Sequence, residues 1–449
     1  MGGFHWAALN DFFCKELRAL GSVGLRRWRA GQRLMVYAEQ SWHDVVVVSP
    51  PAELGGSKHT LRVEPSGAQL AVALSPFTHA PSELSTASFH ALWKRHCRSM
   101  RAQHATITDA LSGRRLNTLE HCVPIELKTA ASELGSRRDL VAAAAAPATA
   151  TSAAAAPATS ATATPDAAYD SQPVREVGAL AEWVRAKHTR RLEPSSDVAH
   201  PVAVLVTAGP AAGKTCMVSQ LVMKVVPAAD EAMKDAEWVP GAADLLPIVI
   251  RVQDLQKRLL DTSDGQDRKF AAAWNWIDCY LLTVHGASSE LYRFLRQVLM
   301  MRRALLLLDG IDEAGKARGR IERHITEVLM PQGHIMILTS RPSGVEDAFS
   351  RIDQRQRAGF HRMQLRPLSD EQQRAVVEKR LGAVQARATL DAASEAARPH
   401  AEALAAAAQE EVDELMEYIR DKVCPEGSPR RHLGLDGASA LSDGCSSRC

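Results

Sequence analysis

The tightest constraint on the fold is a set of five compact apolar runs: Val202–Thr207, Leu246–Val252, Ala304–Asp309, His334–Thr339 and His361–Leu365, none strictly alternating. A strand that is apolar at nearly every position has two faces to bury, so it belongs in a sheet covered on both sides. Long segments of helical character separate the runs. Strands that alternate with helices pair in parallel, because each crossover carries the chain back to the same end of the sheet. The expected class is α/β with a five-stranded parallel sheet. After Pro367 the pattern turns helical, over Leu368–Leu381, Ala383–Ala397 and His400–Val423, with Val412, Leu415, Met416, Ile419 and Val423 on one face of the last helix.

Before the first of these runs lies a different composition. Of the 27 residues from 142 to 168, 16 are Ala, and the heptamer AAAAPAT occurs at both 143–149 and 153–159. Pro147, Pro157 and Pro165 each cost about 3 kcal/mol inside a helix, and no large side chain is present to build a core. The stretch reads as a linker, set at 136–171. It separates a module over 1–135 from a unit over 172–367, followed by a helical subdomain over 368–424 and a disordered tail over 425–449. In the first module Leu34–Ala38, Asp44–Val48, Thr60–Val63 and Gln69–Leu74 are β-rich runs between turn-rich pieces. GQRLMVYAEQSWHDVVVV resembles the opening of SH3-like or Tudor-like barrels, so a small β-barrel-like module is expected. A helix follows, with Phe89, Leu92, Trp93, His96 and Met100 spaced three or four apart.

The chemistry sits at the ends of the apolar runs. Val202–Thr207 leads into A208-G-P-A-A-G-K-T215. Glycine there lets backbone N–H groups converge on an anion, Lys214 can reach the β- and γ-phosphates, and the Thr215 hydroxyl can hold Mg²⁺. The phosphate-binding stretch is thus Ala208, Gly209, Pro210, Ala211, Ala212, Gly213, Lys214, Thr215 and Cys216. In RRALLLLDGIDEAG, residues 302–315, Asp309 emerges at the carboxyl end of a buried strand, placed to hold the Mg²⁺ shell. Asp312 and Glu313 stand in the turn beyond, within reach of an attacking water. HIMILTSRP, residues 334–342, ends in Thr339, Ser340 and Arg341. That cation can contact the γ-phosphate or pair with Asp309 or Glu313.

An additional strand, Leu246–Val252, lies between the lysine-bearing loop and the Asp309 strand. With LLLLDGIDEAG, ILTSRP, LPIVIRVQDL and FHRMQLRPLSDEQQ, the region 200–381 resembles the NACHT family of STAND signalling ATPases, the NLR-like P-loop proteins. The resemblance implies a P-loop NTPase fold with ATP or ADP and Mg²⁺ as cofactors. It assigns Lys214 and Thr215 to Walker A, Asp309 to Walker B, Asp312 and Glu313 to the extended acidic pair, and Arg341 to sensor 1. It further implies slow ATP hydrolysis, a conformational or oligomerisation switch, and protein partners or self-association through the NTPase domain. Other readings remain open: an AAA+-like or metabolic P-loop ATPase, or a pseudo-NTPase scaffold that binds nucleotide without turnover. Nothing after Val423 resembles a winged helix or a repeat array, as expected of a short family member or an incomplete gene product.

Charge and cysteine content limit the classes further. Lys+Arg 54 against Asp+Glu 52 gives a net charge of +2, with no global field for nucleic acid. No apolar run approaches the roughly 18 residues of a membrane helix. The eight cysteines form no C-x-x-C pair, which reads as reduced thiols in a cytoplasmic protein. His96-Cys97 and His121-Cys122 match no zinc-finger spacing. Trp28, Tyr37, Trp42 and Phe77 fit a barrel core better than a methyl-lysine cage.

Overall fold

A computed structural model of the protein describes most of residues 28–129, all of 176–192 and most of 202–420. The linker expected over 136–171 and the tail over 425–449 lie outside the described residues.

Alternating side chains organise the N-terminal strands: β1 (Arg33–Ala38), β2 (Ser41–Ser49), β3 (Lys58–Val63), β4 (Gln69–Ala73) and β5 (His79–Pro81). They form one antiparallel sheet in the order β4-β3-β2-β1-β5. Four strands were expected; the fifth has only three residues, too few to show a period, and its Pro81 lies on the edge, where a missing N–H is tolerated. Leu34 and Val36 point to one face, into a small core with Trp28, Val45, Val47 and Leu61. Met35 points to the other face and, with Trp42, joins the main core of the molecule.

Packing joins residues before the alanine-rich stretch to residues after it. Helix α1 (Thr86–His104) begins at Ser85, whose hydroxyl accepts from the Ser88 amide at 3.3 Å. Its apolar stripe of Phe89, Leu92, Trp93, Cys97 and Met100 is buried against the unit that the sequence set apart. The Phe89 and Phe294 rings lie 5.2 Å apart, and His96 Nε2 lies 3.0 Å from the Pro247 carbonyl oxygen. After the hairpin β6 (Thr106–Thr108) and β7 (Arg115–Asn117) comes β8 (Leu127–Thr129), which enters the main sheet. A helical stripe shows that a face must be buried, not which surface 200 residues away will bury it.

The main sheet holds β9 (Val202–Thr207), β10 (Leu246–Arg251), β11 (Ala304–Asp309), β12 (Ile335–Ser340) and β13 (Phe360–Leu365) in the order β10-β11-β12-β9-β13-β8. Five strands are parallel, as their apolar patterns require, and the sixth, β8, pairs antiparallel with β13. Around the sheet run α2 (Val177–Arg191), α3 (Lys214–Val225), α4 (Val252–Leu260), α5 (Trp276–His285), α6 (Glu290–Met300) and α7 (Arg318–His324). Two helices close the described chain, α8 (Asp370–Arg380) and α9 (Arg398–Tyr418), packed through Val377, Val412 and Met416. The helix expected over Ala383–Ala397 is broken, since residues 392–395 are turn and coil. Helix α9 carries Pro399 in its first turn, where the missing N–H removes no intrahelical bond.

Candidate functional site

Strand order places the site. β12 lies between β11 and β9, so the carboxyl ends of all three meet where the chain reverses its direction of winding, the position at which open α/β sheets bind ligands. At the end of β9 the Ala208 amide donates to the Ser340 carbonyl at 3.0 Å, which pins the start of the loop to β12. Ala208 is buried, and its backbone lies outside the left-handed region. Alanine therefore fits where the strict motif has glycine. Gly213, at φ +86°, does take the left-handed turn that opens α3. Its N-terminal amides and positive dipole end face the loop. Lys214 curls back over that loop, its Nζ 3.4 Å from both the Ala208 and Gly209 carbonyl oxygens.

Asp309 is held at both oxygens. Thr215 Oγ1 donates to Oδ2 at 3.1 Å and Thr339 Oγ1 donates to Oδ1 at 2.6 Å. The Gly310 amide in turn donates to Thr339 Oγ1 at 2.9 Å. Gly310 sits at φ +82°, a conformation an L side chain resists, and that turn aims its N–H back at β12. The Thr215 hydroxyl and the Asp309 carboxylate are hard oxygen donors side by side, the donor set a Mg²⁺ ion takes. The lysine and the helix amides are what a phosphate chain takes. The residues present fit both groups.

Arg341 pairs with neither acid expected for it. Its Nε lies 2.9 Å from Asp312 Oδ2, and its backbone amide donates to Asp312 Oδ1 at 3.0 Å. Asp312 is therefore engaged in fixing the turn after β12. Glu313, in the same 3-10 turn, stays exposed. Partial burial raises its pKa above the usual carboxylate range, and the Asp312 and Asp309 charges add to the effect against Lys214 and Arg341. Of the nine residues expected to bind phosphate, Pro210 and Ala211 lie outside the described residues.

Two elements of this region escaped the sequence. Thr339 was read only as the polar end of a strand, although a threonine between a buried run and an arginine is the signal that marks it. Ile125 and Glu126 carried no signal, and Cys122 drew notice only in the His121-Cys122 pair. Ile125 is buried, and its Cδ1 would lie 3.6 Å from a Cβ built on Gly213. Glu126 accepts from the Arg366 amide at 3.0 Å.

No group of three or more His, Cys, Asp or Glu suited to a metal occurs among the described residues. Tyr37 and Trp42 do approach, at 5.7 Å between ring centroids, but Trp42 and Trp93 lie 5.7 and 4.4 Å from the guanidinium carbon of Arg303. The chain's own cation occupies that aromatic surface. Phe77 lies outside the described residues. Among them, no helix is long and apolar enough to cross a membrane.

Comparison with known proteins adds one family. Residues 279–383 match the NACHT domain, a stretch that holds Asp309, Asp312, Glu313 and Arg341 and begins after the lysine-bearing loop. No curated protein matches. Among solved structures, PCH-2 of C. elegans is 13% identical with a TM-score of 0.26, over 48% of this chain and 46% of that one. A signal transduction ATPase with numerous domains (STAND), with a tetratricopeptide repeat sensor, from Pyrococcus horikoshii is 11% identical with a TM-score of 0.22, over 40% of this chain and 23% of that one. The chain thus spans less than half the length of either structure. The matched stretch, which carries three strands of the parallel sheet, is thus similar to the NACHT domain.

Proposed function

We propose that this chain is a nucleotide-binding signalling ATPase that uses ATP or ADP with Mg²⁺ as a conformational and oligomerisation switch. The observation that carries the reading is the Thr215–Asp309–Thr339 hydrogen-bond chain, which joins the lysine-bearing loop to the acidic strand end. Lys214 and the α3 amides would hold the phosphates, and Thr215 and Asp309 would hold Mg²⁺. The bound ion would neutralise charge that builds on the transferring phosphoryl group. Glu313 is the acid positioned to orient water, because Asp312 is engaged by Arg341. Asp312 thereby positions Arg341 beside the acidic turn, where a cation could meet a terminal phosphate. Phosphoryl transfer of this kind depends on positioning and electrostatics, and turnover is read as slow, as the family resemblance implies. The protein is read as cytoplasmic, with protein partners or self-association through the NTPase unit.

Binding is checked by thermal unfolding. Mg·ATP at 100 times its Kd stabilises the protein by about 2.7 kcal/mol, and Lys214→Ala abolishes the shift while the unliganded melting temperature stays close to that of the parent. An equal shift in the variant places the nucleotide elsewhere.

A further inference from the structure

Two thiols meet at the floor of the phosphate loop. Cys216 is the third residue of α3, directly after Thr215, and its Sγ lies 3.4 Å from the Sγ of Cys122, 94 residues earlier in the chain. Both residues are half-buried rather than sealed in the core. The other two cysteines among the described residues differ. Burial pushes the Cys97 thiol up to about 12 and the Cys279 thiol up to about 11, which keeps both protonated and unreactive. Cys216 Sγ also accepts a long 3.8 Å contact from Gln220 Nε2, one turn along the same helix.

The surroundings of Cys122 tie the pair to the rest of the site. Ile125 packs beside Gly213, the left-handed residue that opens α3. The Cys122 carbonyl accepts from Lys379 Nζ at 3.4 Å, and Glu126 takes Arg366 Nη1 at 3.4 Å and Gln372 Nε2 at 3.5 Å. Cys122, Ile125 and Glu126 therefore link Gly213 and Cys216 of the phosphate loop and α3 to α8 and to Arg366 before it.

We propose that Cys122 and Cys216 are a reversible disulfide site, oxidised by low-molecular-weight disulfides of the glutathione class, and that closing the bond weakens nucleotide binding. One protein thiolate attacks the small disulfide, forms a mixed disulfide and releases one small thiolate. The second protein thiolate then displaces the other. Two electrons pass from the cysteine pair to the small disulfide, and the two protons leave to solvent or to the released thiolates. A disulfide bond is about 2.05 Å long, so the sulfurs must approach by more than an ångström. The motion draws the first turn of α3, whose amides would face the phosphates, toward Cys122, whose carbonyl is also bonded to Lys379 of α8. Transient, regulatory disulfides are the kind found in reducing compartments.

The nucleotide half of this inference rests on the proposed ATP site; the disulfide half is read independently. The full chain is equilibrated in oxidised or reduced glutathione, digested without reduction and mapped by mass spectrometry, while Mg·ATP affinity is measured by calorimetry. Expected is a linked Cys122–Cys216 peptide pair, two hydrogens lighter than the reduced peptides, with affinity at least fivefold weaker and restored by dithiothreitol. Cys122→Ser, and Cys122→Ala as a second variant, bind Mg·ATP as the reduced parent does and ignore oxidised glutathione. Linkage of other cysteines, absence of any linkage, or a Cys122–Cys216 bond with unchanged affinity overturns the proposal. Failure of the reduced parent to bind Mg·ATP, with the linkage still mapped, overturns the nucleotide site instead.

Discussion

Asp309 shows how a single carboxylate would be made ready for the proposed Mg²⁺. Both of its oxygens are already oriented by hydroxyl donors, Thr215 from α3 and Thr339 from β12, so little rearrangement is needed when a cation replaces a proton donor. Thr339→Val removes the shorter of these bonds and leaves the buried Gly310 amide without its acceptor. Turnover in that variant falls by about tenfold or more, the scale of lost general positioning, and a steady-state phosphate-release assay reads it. Glu313→Gln tests the water-orienting role more directly. Because the Glu313 pKa is raised, the acid limb of the pH–rate profile lies above the ordinary carboxylate range, and it is lost in the glutamine variant. An acid limb that survives Glu313→Gln assigns the titration to another group. Asp312→Asn acts differently, since it loosens Arg341 rather than the water.

At the scale of elements, the ends carry as much information as the middles. Helix α8 starts with a capping box: the Ser369 hydroxyl accepts from the Gln372 amide at 3.2 Å, while Gln372 Oε1 accepts from the Ser369 amide at 2.9 Å. Gln372 Nε2 also reaches Glu126, next to β8 of the main sheet, at 3.5 Å. Ser369→Ala removes half of the reciprocal pair and costs about 1 kcal/mol, measured as a shift in the urea midpoint at constant slope. Gln372→Ala costs more than the cap alone if the Glu126 contact contributes, and a double-mutant cycle with Glu126→Ala separates the two. Within the main sheet the strand ends decide chemistry in the same way, because register sets Asp309 beside Thr339 and Thr207 beside Ser340.

Among the described residues, the largest core draws on both sides of the alanine-rich stretch. Phe89, Trp93 and Phe294 meet in it, although the first two precede the alanine-rich stretch and the third follows the lysine-bearing loop. Phe89 is fully buried, so Phe89→Ala leaves a cavity and costs about 3–5 kcal/mol. Because the same core supports α3 and β10, thermal unfolding of that variant shows the lowered midpoint in the very transition that Mg·ATP shifts. A separate early transition, with the nucleotide-sensitive one unmoved, would instead make residues 86–129 an independent unit.

What could be read from residues alone was whatever depends on local pattern. Runs that are largely apolar without strict alternation demand a sheet with two covered faces, and the glycine, lysine and acidic residues at their ends mark where an anion and a cation can be held. Those are short-range facts: side-chain period, turn chemistry and the identity of a strand's last residue. The tertiary structure decided what depends on distance along the chain. It brought β8 onto β13 as a sixth strand, set the α1 stripe against Phe294, gave Arg341 to Asp312 instead of Asp309 or Glu313, and put Arg303 on the aromatic surface of Trp42 and Trp93. It also set Cys122 against Cys216 across 94 positions. A buried face or a charged group states in the sequence only that it needs a partner. Which partner it meets is settled by the packing of the whole core, where many weak contacts between remote segments must be satisfied at once.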